Sequence, residues 1–249
     1  MTCGSVDLTA TFLSPIEVRT PSITNLQQGC DLTKAQPTDL VNQSIPFSYL
    51  SAEVISNDGM LHKVQLYTAV SGGWLAQSDQ VVEWETIAGA NHRFWLQNQT
   101  QLTEVDGRLR DGFVMYSTKQ VAHFPEILSG SFSNYLSQVS GMTYQIGSSY
   151  SVWTLFGTTG VLNNTVDQEF RGIGDDLPNF AFAHDLGTVS MTKTAPVVYA
   201  IGYVRDPLVQ LSNLPNFNSV RSPYFLTRHG PDVHELVRSL YISYMAVCT

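Results

Sequence analysis

Val6, Leu8, Ala10 and Phe12 alternate with Asp7, Thr9 and Thr11. An apolar residue at every second position marks a half-buried strand. Pro46 to Ile55 alternates in the same way, Asn57-Asp58-Gly59 follows, and His62 to Val70 returns as a second alternating run. Asn, Asp and Gly tolerate the positive φ of tight turns, so these two runs predict a hairpin. Phe94 to Leu96, Phe113 to Tyr116, Val152 to Phe156, Asn179 to Ala183 and Pro196 to Val204 predict further strands, separated by clusters of Gly, Asn, Asp and Ser. Helical spacing is clear in one place, where Val233, Leu236, Val237, Leu240 and Tyr244 follow Gly230-Pro231. The pattern predicts an all-β fold, an antiparallel β-sandwich over residues 1–230 with a C-terminal helix over 231–249. That helix either packs on the sandwich or leads into a further domain.

One stretch breaks the pattern. Val18 to Gln36 has no clear period and no core spacing, while Ser14-Pro15-Ile16-Glu17 before it and Pro37-Thr38-Asp39-Leu40 after it read as one continuous segment. Structureless loops of this length are uncommon in compact domains. Two readings are open. One is a long surface loop, which folds tolerate well. The other is an intron retained in frame. Val18-Arg19 is compatible with GTACGT, Leu32-Thr33 with a branch point and Ala35-Gln36 with a terminal CAG.

Composition narrows the class. Hydrophobic residues make up 43% of the 249 and charged residues only 14%, so the chain can bury a core and disorder is not expected. The net charge of −8 and the absence of a basic stripe argue against nucleic acid as a partner. There is no run of about 18 apolar residues, so no transmembrane helix and no membrane partner are expected. Cys3, Cys30 and Cys248 have no metal-ligand spacing and define no disulfide framework. The six histidines do not cluster, and no metal or cofactor site is predicted. Sequons at Asn42, Asn98 and Asn163 favour secretion. The chain nevertheless begins directly on a strand, without a charged n-region or apolar h-region, so a secreted parent would carry its leader elsewhere.

The sharpest candidate for chemistry is Phe180-Ala181-Phe182-Ala183-His184-Asp185-Leu186-Gly187, an apolar strand that delivers His184 and Asp185 at its end. A His–Asp pair can do acid–base work. The alternative is a strand end whose polar side chains satisfy the backbone of a turn, because geometry and not adjacency defines a site. Arg205-Asp206-Pro207 reads as an ion pair or Asx-type turn, with an interface role as the functional alternative. Asp175-Asp176 after Gly172-Ile173-Gly174 reads as a solvated turn, since the spacing is not that of a calcium loop. His92-Arg93 beside Phe94-Trp95, with Trp74 and Trp84, could stack on a ligand, though sandwich aromatics usually belong to the core. No GxSxG, HExxH or phosphate-loop motif occurs.

Several of these motifs, in order, resemble one family. Phe12-Leu13-Ser14-Pro15-Ile16-Glu17, then Pro37-Thr38-Asp39-Leu40, then Val41 to Leu50 follow the FxSPxxPxD…RQSxPFSYL pattern of the glutaminase A family of fungi and bacteria, with Asn42 in place of the usual Arg. The resemblance continues through Val64 to Tyr67, Phe180 to Gly187, Gly202 to Pro207 and Arg221 to Phe225. It implies a parent that is an extracellular hydrolase deamidating L-glutamine to glutamate and ammonia. In such a parent a β-sandwich region is joined to a large α-helical catalytic domain. This chain matches only the sandwich region, which is then supersandwich-like and incomplete. Without the helical domain as its intramolecular partner, the chain is expected to be inactive. Arg205, Asp206, Tyr224 and Phe225 become structural or interface residues. The stripe Val233, Leu236, Val237 and Leu240 is expected to find too little to pack against. The rival reading, from another class, is a carbohydrate- or partner-binding sandwich module of a glycosidase-like enzyme. A stand-alone enzyme using His184 and Asp185 is a third.

Overall fold

Phe180, Phe182 and His184 alternate with Ala181 and Ala183 along the longest strand, Pro178–Val189. Large residues go to one face and small residues to the other, so the two faces meet different neighbours. The computed structural model describes residues 17–19, 40–52, 54–56, 60–77, 80–120, 141–191, 194, 197–214, 217–233 and 235–237. In chain order the elements are β1 (Glu17–Arg19), α1 (Leu40–Gln43), β2 (Phe47–Ala52), β3 (His62–Ser71), a 3-10 turn (Gly72–Trp74), β4 (Val81–Ile87), β5 (Asn91–Leu96), β6 (Glu104–Val105), β7 (Arg108–Leu109) and β8 (Phe113–Gln120). They continue with β9 (Met142–Ser148), α2 (Ser149–Thr159), β10 (Thr165–Val166), β11 (Arg171–Gly172), β12 (Pro178–Val189), β13 (Val197–Val204), β14 (Val209–Leu214), β15 (Phe217–Arg221) and α3 (Leu226–His229).

Two sheets carry the fold. One has the strand order β1-β3-β12-β9-β10 and the other β11-β4-β5-β8-β13-β2. All described pairings are antiparallel except β9 with β10. Leu66, Ile146, Phe180 and Phe182 from the first sheet share one buried cluster with Val82, Phe94, Val114, Tyr116 and Tyr199 from the second. Facing sheets with a common apolar core make a β-sandwich-like layer. Phe94 and Phe180 stack across it at 4.0 Å, nearly parallel. A second cluster covers the outer face of the six-stranded sheet, where Val198, Ala200 and Met115 meet Phe225, Val233, Leu236 and Val237. A third lies on the outer face of the five-stranded sheet, where Ala69, Ala181 and Ala183 leave room for α2 through Val152 and Phe156.

Four expectations need correction. β2 and β3 are not a hairpin, because β2 pairs with β13 in one sheet and β3 with β12 in the other. Their connection is far longer than a two-residue hairpin loop, so it can cross between layers. Val152 to Phe156 is not a strand but the centre of α2. Val152 and Phe156 are one helical repeat apart, and Gly160, left-handed at φ 73°, closes the helix through its N–H to the Phe156 carbonyl. The fold is therefore mostly antiparallel sheet with helices and not strictly all-β. The apolar stripe at Val233, Leu236 and Val237 does find a surface, since all three are buried against β8 and β13. Within the stretch predicted to be irregular, Val18 and Arg19 lie on β1, opposite Thr68 and Tyr67. Residues 20–36, Val6 to Leu13, Leu240, the three cysteines and the side chain of Asn42 lie outside the described residues.

Candidate functional site

The strand geometry of β12 separates the predicted His–Asp pair. Adjacent residues on a strand face opposite ways. His184 points into the layer between the sheets and is 0% exposed. Its Nδ1 accepts the Tyr199 hydroxyl at 3.1 Å, and its Nε2–H reaches Thr118 Oγ1 at 3.5 Å. The tautomer follows from Thr118, whose own hydroxyl is donated to the Val198 carbonyl. Burial pushes the His184 pKa down to about 3. Asp185 lies on the other face, where its Oδ1 accepts the Gly187 N–H at 2.8 Å and so shapes the bulge between Asp185 and Thr188. The two side chains do not converge on one point.

A second interior imidazole was not singled out for the core by the sequence. His92 is stacked on Phe182 at 4.2 Å and is also 0% exposed. Its Nε2–H donates to the Ala181 carbonyl at 3.1 Å, and its Nδ1 accepts the Thr86 hydroxyl at 2.8 Å. Burial lowers its pKa to about 4, against the opposing effect of the carbonyl. Both histidines are thus neutral, hydrogen-bonded parts of the core.

Arg205 does form an ion pair, but its partner is Asp111 and not the neighbouring Asp206. Arg205 Nε lies 2.6 Å from Asp111 Oδ1, and both side chains are largely buried. The contact is one of charge, since neither atom has an aligned hydrogen-bond partner. Asp111 Oδ2 accepts the Leu102 N–H at 2.7 Å, and the Asp111 carbonyl accepts the Tyr203 hydroxyl. Burial, with the Asp111 charge adding, raises the Tyr203 pKa to about 12, with Arg205 opposing. These bonds tie the connection carrying β6 and β7 to the end of β13. Asp206 is exposed and precedes Pro207 through a cis peptide bond. Phe225 is buried in the second cluster, whereas Tyr224 is 52% exposed.

The outer face of the six-stranded sheet carries a ladder that only strand pairing reveals. On β4 and β5, Glu83 stands opposite Trp95 and Glu85 opposite Arg93. Trp95 Nε1 donates to Glu83 Oε2 at 3.0 Å, and Arg93 Nη1 pairs with Glu85 Oε1 at 3.3 Å. The Arg93 guanidinium lies 3.9 Å over the Phe113 ring and 5.4 Å from that of Trp95. Of the other candidates, Trp84 is core, with its Nε1–H donated to the Asp167 carbonyl at 2.8 Å. Arg171 takes up the nearby carboxylates, 2.7 Å from Asp167 and 3.7 Å from Asp176. Burial would raise the Asp167 pKa, but hydrogen bonds from the Glu169 N–H and from Arg171, with the Arg171 charge, hold it below the usual carboxylate value. Asn98 and Asn163 are exposed. Among the described residues, no group of three or more His, Cys, Asp or Glu side chains could hold a metal ion.

The domain family described as "Domain of unknown function (DUF5127)" matches residues 32–248. The chain belongs to the DUF5127 family. It is similar to "Glutaminase A" of Aspergillus oryzae, at 29% identity over 194 residues, covering 76% of this chain and 25% of that protein. It is also similar to a protein of Arthroderma benhamiae described as a "Probable glutaminase", at 26% identity over 246 residues, covering 95% of this chain and 24% of that protein. This DUF5127 chain is therefore distantly homologous to fungal glutaminase A-like proteins. It spans about a quarter of the length of the curated relatives it matches. The resemblance drawn from its motifs holds at that family level.

Proposed function

We propose that this chain is the non-catalytic β-sandwich region of a glutaminase A-like amidohydrolase, packing on and positioning an α-helical catalytic domain. The observation that carries the reading is coverage. Between 76% and 95% of the chain is homologous to only a quarter of each glutaminase relative, which leaves three quarters of those proteins to hold the chemistry. The burial of His184 and the divergence of Asp185 from it support the same reading, because acid–base work needs groups within reach of a substrate. In this reading the Arg205–Asp111 pair and Phe225 hold the framework, Asp206 shapes the turn and Tyr224 faces the partner domain. The parent acts outside the cell, with Asn98 and Asn163, and Asn42 beside them, as glycan acceptors. Their exposure at Asn98 and Asn163 fits that role. Enzymatic deglycosylation of the secreted parent should then lower its apparent mass, and Asn→Gln changes at these positions should remove the shift.

The purified chain should release no detectable ammonia from L-glutamine, while the full-length parent does. Robust turnover by the chain itself, abolished by His184→Ala, would overturn the assignment in favour of a stand-alone enzyme. A second reading, a carbohydrate-binding sandwich module, has one observation in its favour: Tyr150 is 76% and Trp153 36% exposed on α2. Retardation of the chain in polysaccharide-containing gels, lost in Tyr150→Ala, would select it.

A further inference from the structure

Val152 of α2 and Leu162 share the third buried cluster, and each is followed by an exposed residue, Trp153 and Asn163. β9 measures how close the two come. A Cβ added at Gly147 would touch Val152, while the Asn163 N–H donates to the Gln145 side-chain oxygen at 3.2 Å. Gln145 and Gly147 are two residues apart on one face of β9, a rise of about 7 Å. The turn that carries Asn163 is held on both sides. The Leu162 N–H donates to Thr143 Oγ1 at 2.9 Å, and Asn164, left-handed at φ 56°, accepts the Tyr144 N–H on its Oδ1 at 2.9 Å. Asn163-Asn164-Thr165 is therefore a sequon fixed by its backbone and its middle residue, with the Asn163 and Thr165 side chains exposed. Beside it stands the aromatic face of α2. Tyr150 and Trp153 are three residues apart on one side of the helix and are both exposed. Gly157, one turn beyond Trp153, leaves the surface beside that ring open, since a Cβ added there would meet nothing within 4 Å. From Met142 to Val166 the chain contains no Asp, Glu, Lys or Arg.

We infer that the Tyr150–Trp153 face of α2 is the seat of the oligosaccharide N-linked to Asn163, an inference that rests on the extracellular reading above. Attachment joins Asn163 Nδ2 to the anomeric carbon of the incoming sugar, with loss of one Nδ2 proton and of the donor's lipid diphosphate. A sugar ring has a face of C–H bonds that stacks on an aromatic ring and a rim of neutral hydroxyls. An exposed aromatic face with no charge, among the Ser and Thr hydroxyls of α2, matches both and gives a charged partner nothing to pair with. An exposed apolar patch of this kind marks a contact surface. Tethering favours the chain's own glycan over a free ligand. Its root lies within a few residues' rise along β9 of the residue that precedes Trp153, so its effective concentration at the rings is high. Asn98 follows β5 in the other sheet and serves as the comparison site.

Oxidative footprinting of the chain secreted from a eukaryotic host, with glycan occupancy mapped by peptide mass spectrometry, tests the assignment. Asn163 should carry a glycan, and oxidation of Tyr150 and Trp153 should be several-fold slower than in Thr165→Ala, which removes the sequon and keeps Asn163 in place. Trimming the glycan to a single N-acetylglucosamine should restore the oxidation. Tyr224, beside Phe225 on the opposite side of the sandwich, should be modified equally in all samples. An occupied Asn163 with unchanged oxidation of both rings would overturn the seat and leave the glycan-acceptor reading intact. Protection that persists in Thr165→Ala and rises with protein concentration would assign the face to a second copy of the chain and overturn the seat as well. An empty Asn163 beside an occupied Asn98 would also overturn it, and no glycan at any sequon would remove the extracellular reading beneath it.

Discussion

Between pH 7 and pH 5 the unfolding free energy of this chain is expected to fall by about 4 kcal/mol, through two imidazoles. His92 and His184 are both 0% exposed between the sheets. Among the described residues, His184 faces the hydroxyls of Thr118 and Tyr199, and His92 faces the Thr86 hydroxyl, the Ala181 carbonyl and the ring of Phe182. Neither has a carboxylate among the described residues to stabilise a charge. Their pKa values fall from 6.5 to about 4 for His92 and about 3 for His184. A depressed histidine pKa means that the unfolded chain binds the proton first. Stability is therefore fully present above pH 6.5 and is lost as the pH falls toward the folded values. At pH 5 the unfolded state carries both protons and the folded state neither, which is worth about 2 kcal/mol for each site. Asp167, with its pKa held below 3.8, adds a loss only at more acid pH. Urea denaturation at pH 7, 6 and 5 measures the slope. His92→Gln and His184→Gln should each start less stable and show a shallower dependence. A flat wild-type profile over this interval would show that the imidazoles are not buried as described.

The strands that the sequence announced best are those whose two faces differ most. Phe180 and Phe182 against Ala181 and Ala183 gave β12, and Val197 to Val204 gave β13 as an unbroken apolar run. Both succeed because one face meets the facing sheet while the other is covered by α2 or the C-terminal segment. Val152 to Phe156 failed for the reason that short apolar runs fail generally: five residues fit either period, and length decides. The deciding signal was Gly160 as a left-handed cap. The hairpin failed because Asn57-Asp58-Gly59 specifies a turn but not which sheet receives the next strand. The candidate site was less legible than the fold. Arg93 and Trp95 were visible as residues, but their engagement with Glu85 and Glu83 depends on the register of β4 against β5. His184 next to Asp185 looked like a pair in one dimension and is divided by the pleat in three.

Leu236→Ala should cost about 2–5 kcal/mol, a loss comparable with a core truncation anywhere in the sandwich. Leu236 is 1% exposed and belongs to the cluster that joins Val198, Ala200 and Phe225. Removing its branched end leaves a cavity between the helical segment and β13, and the sheet cannot collapse to fill it. An isolated helical turn of this length is marginal in water, so the segment holds its conformation through this packing. The consequence is cooperative: the segment and the sandwich should melt together in one transition that shifts as a whole in Leu236→Ala. Glu235→Ala, next to it and exposed, should change stability by no more than about 1 kcal/mol. Urea denaturation monitored by circular dichroism, with the two variants run side by side, makes the comparison. If Leu236→Ala behaves like Glu235→Ala, the segment at 233–237 is not part of the folded unit.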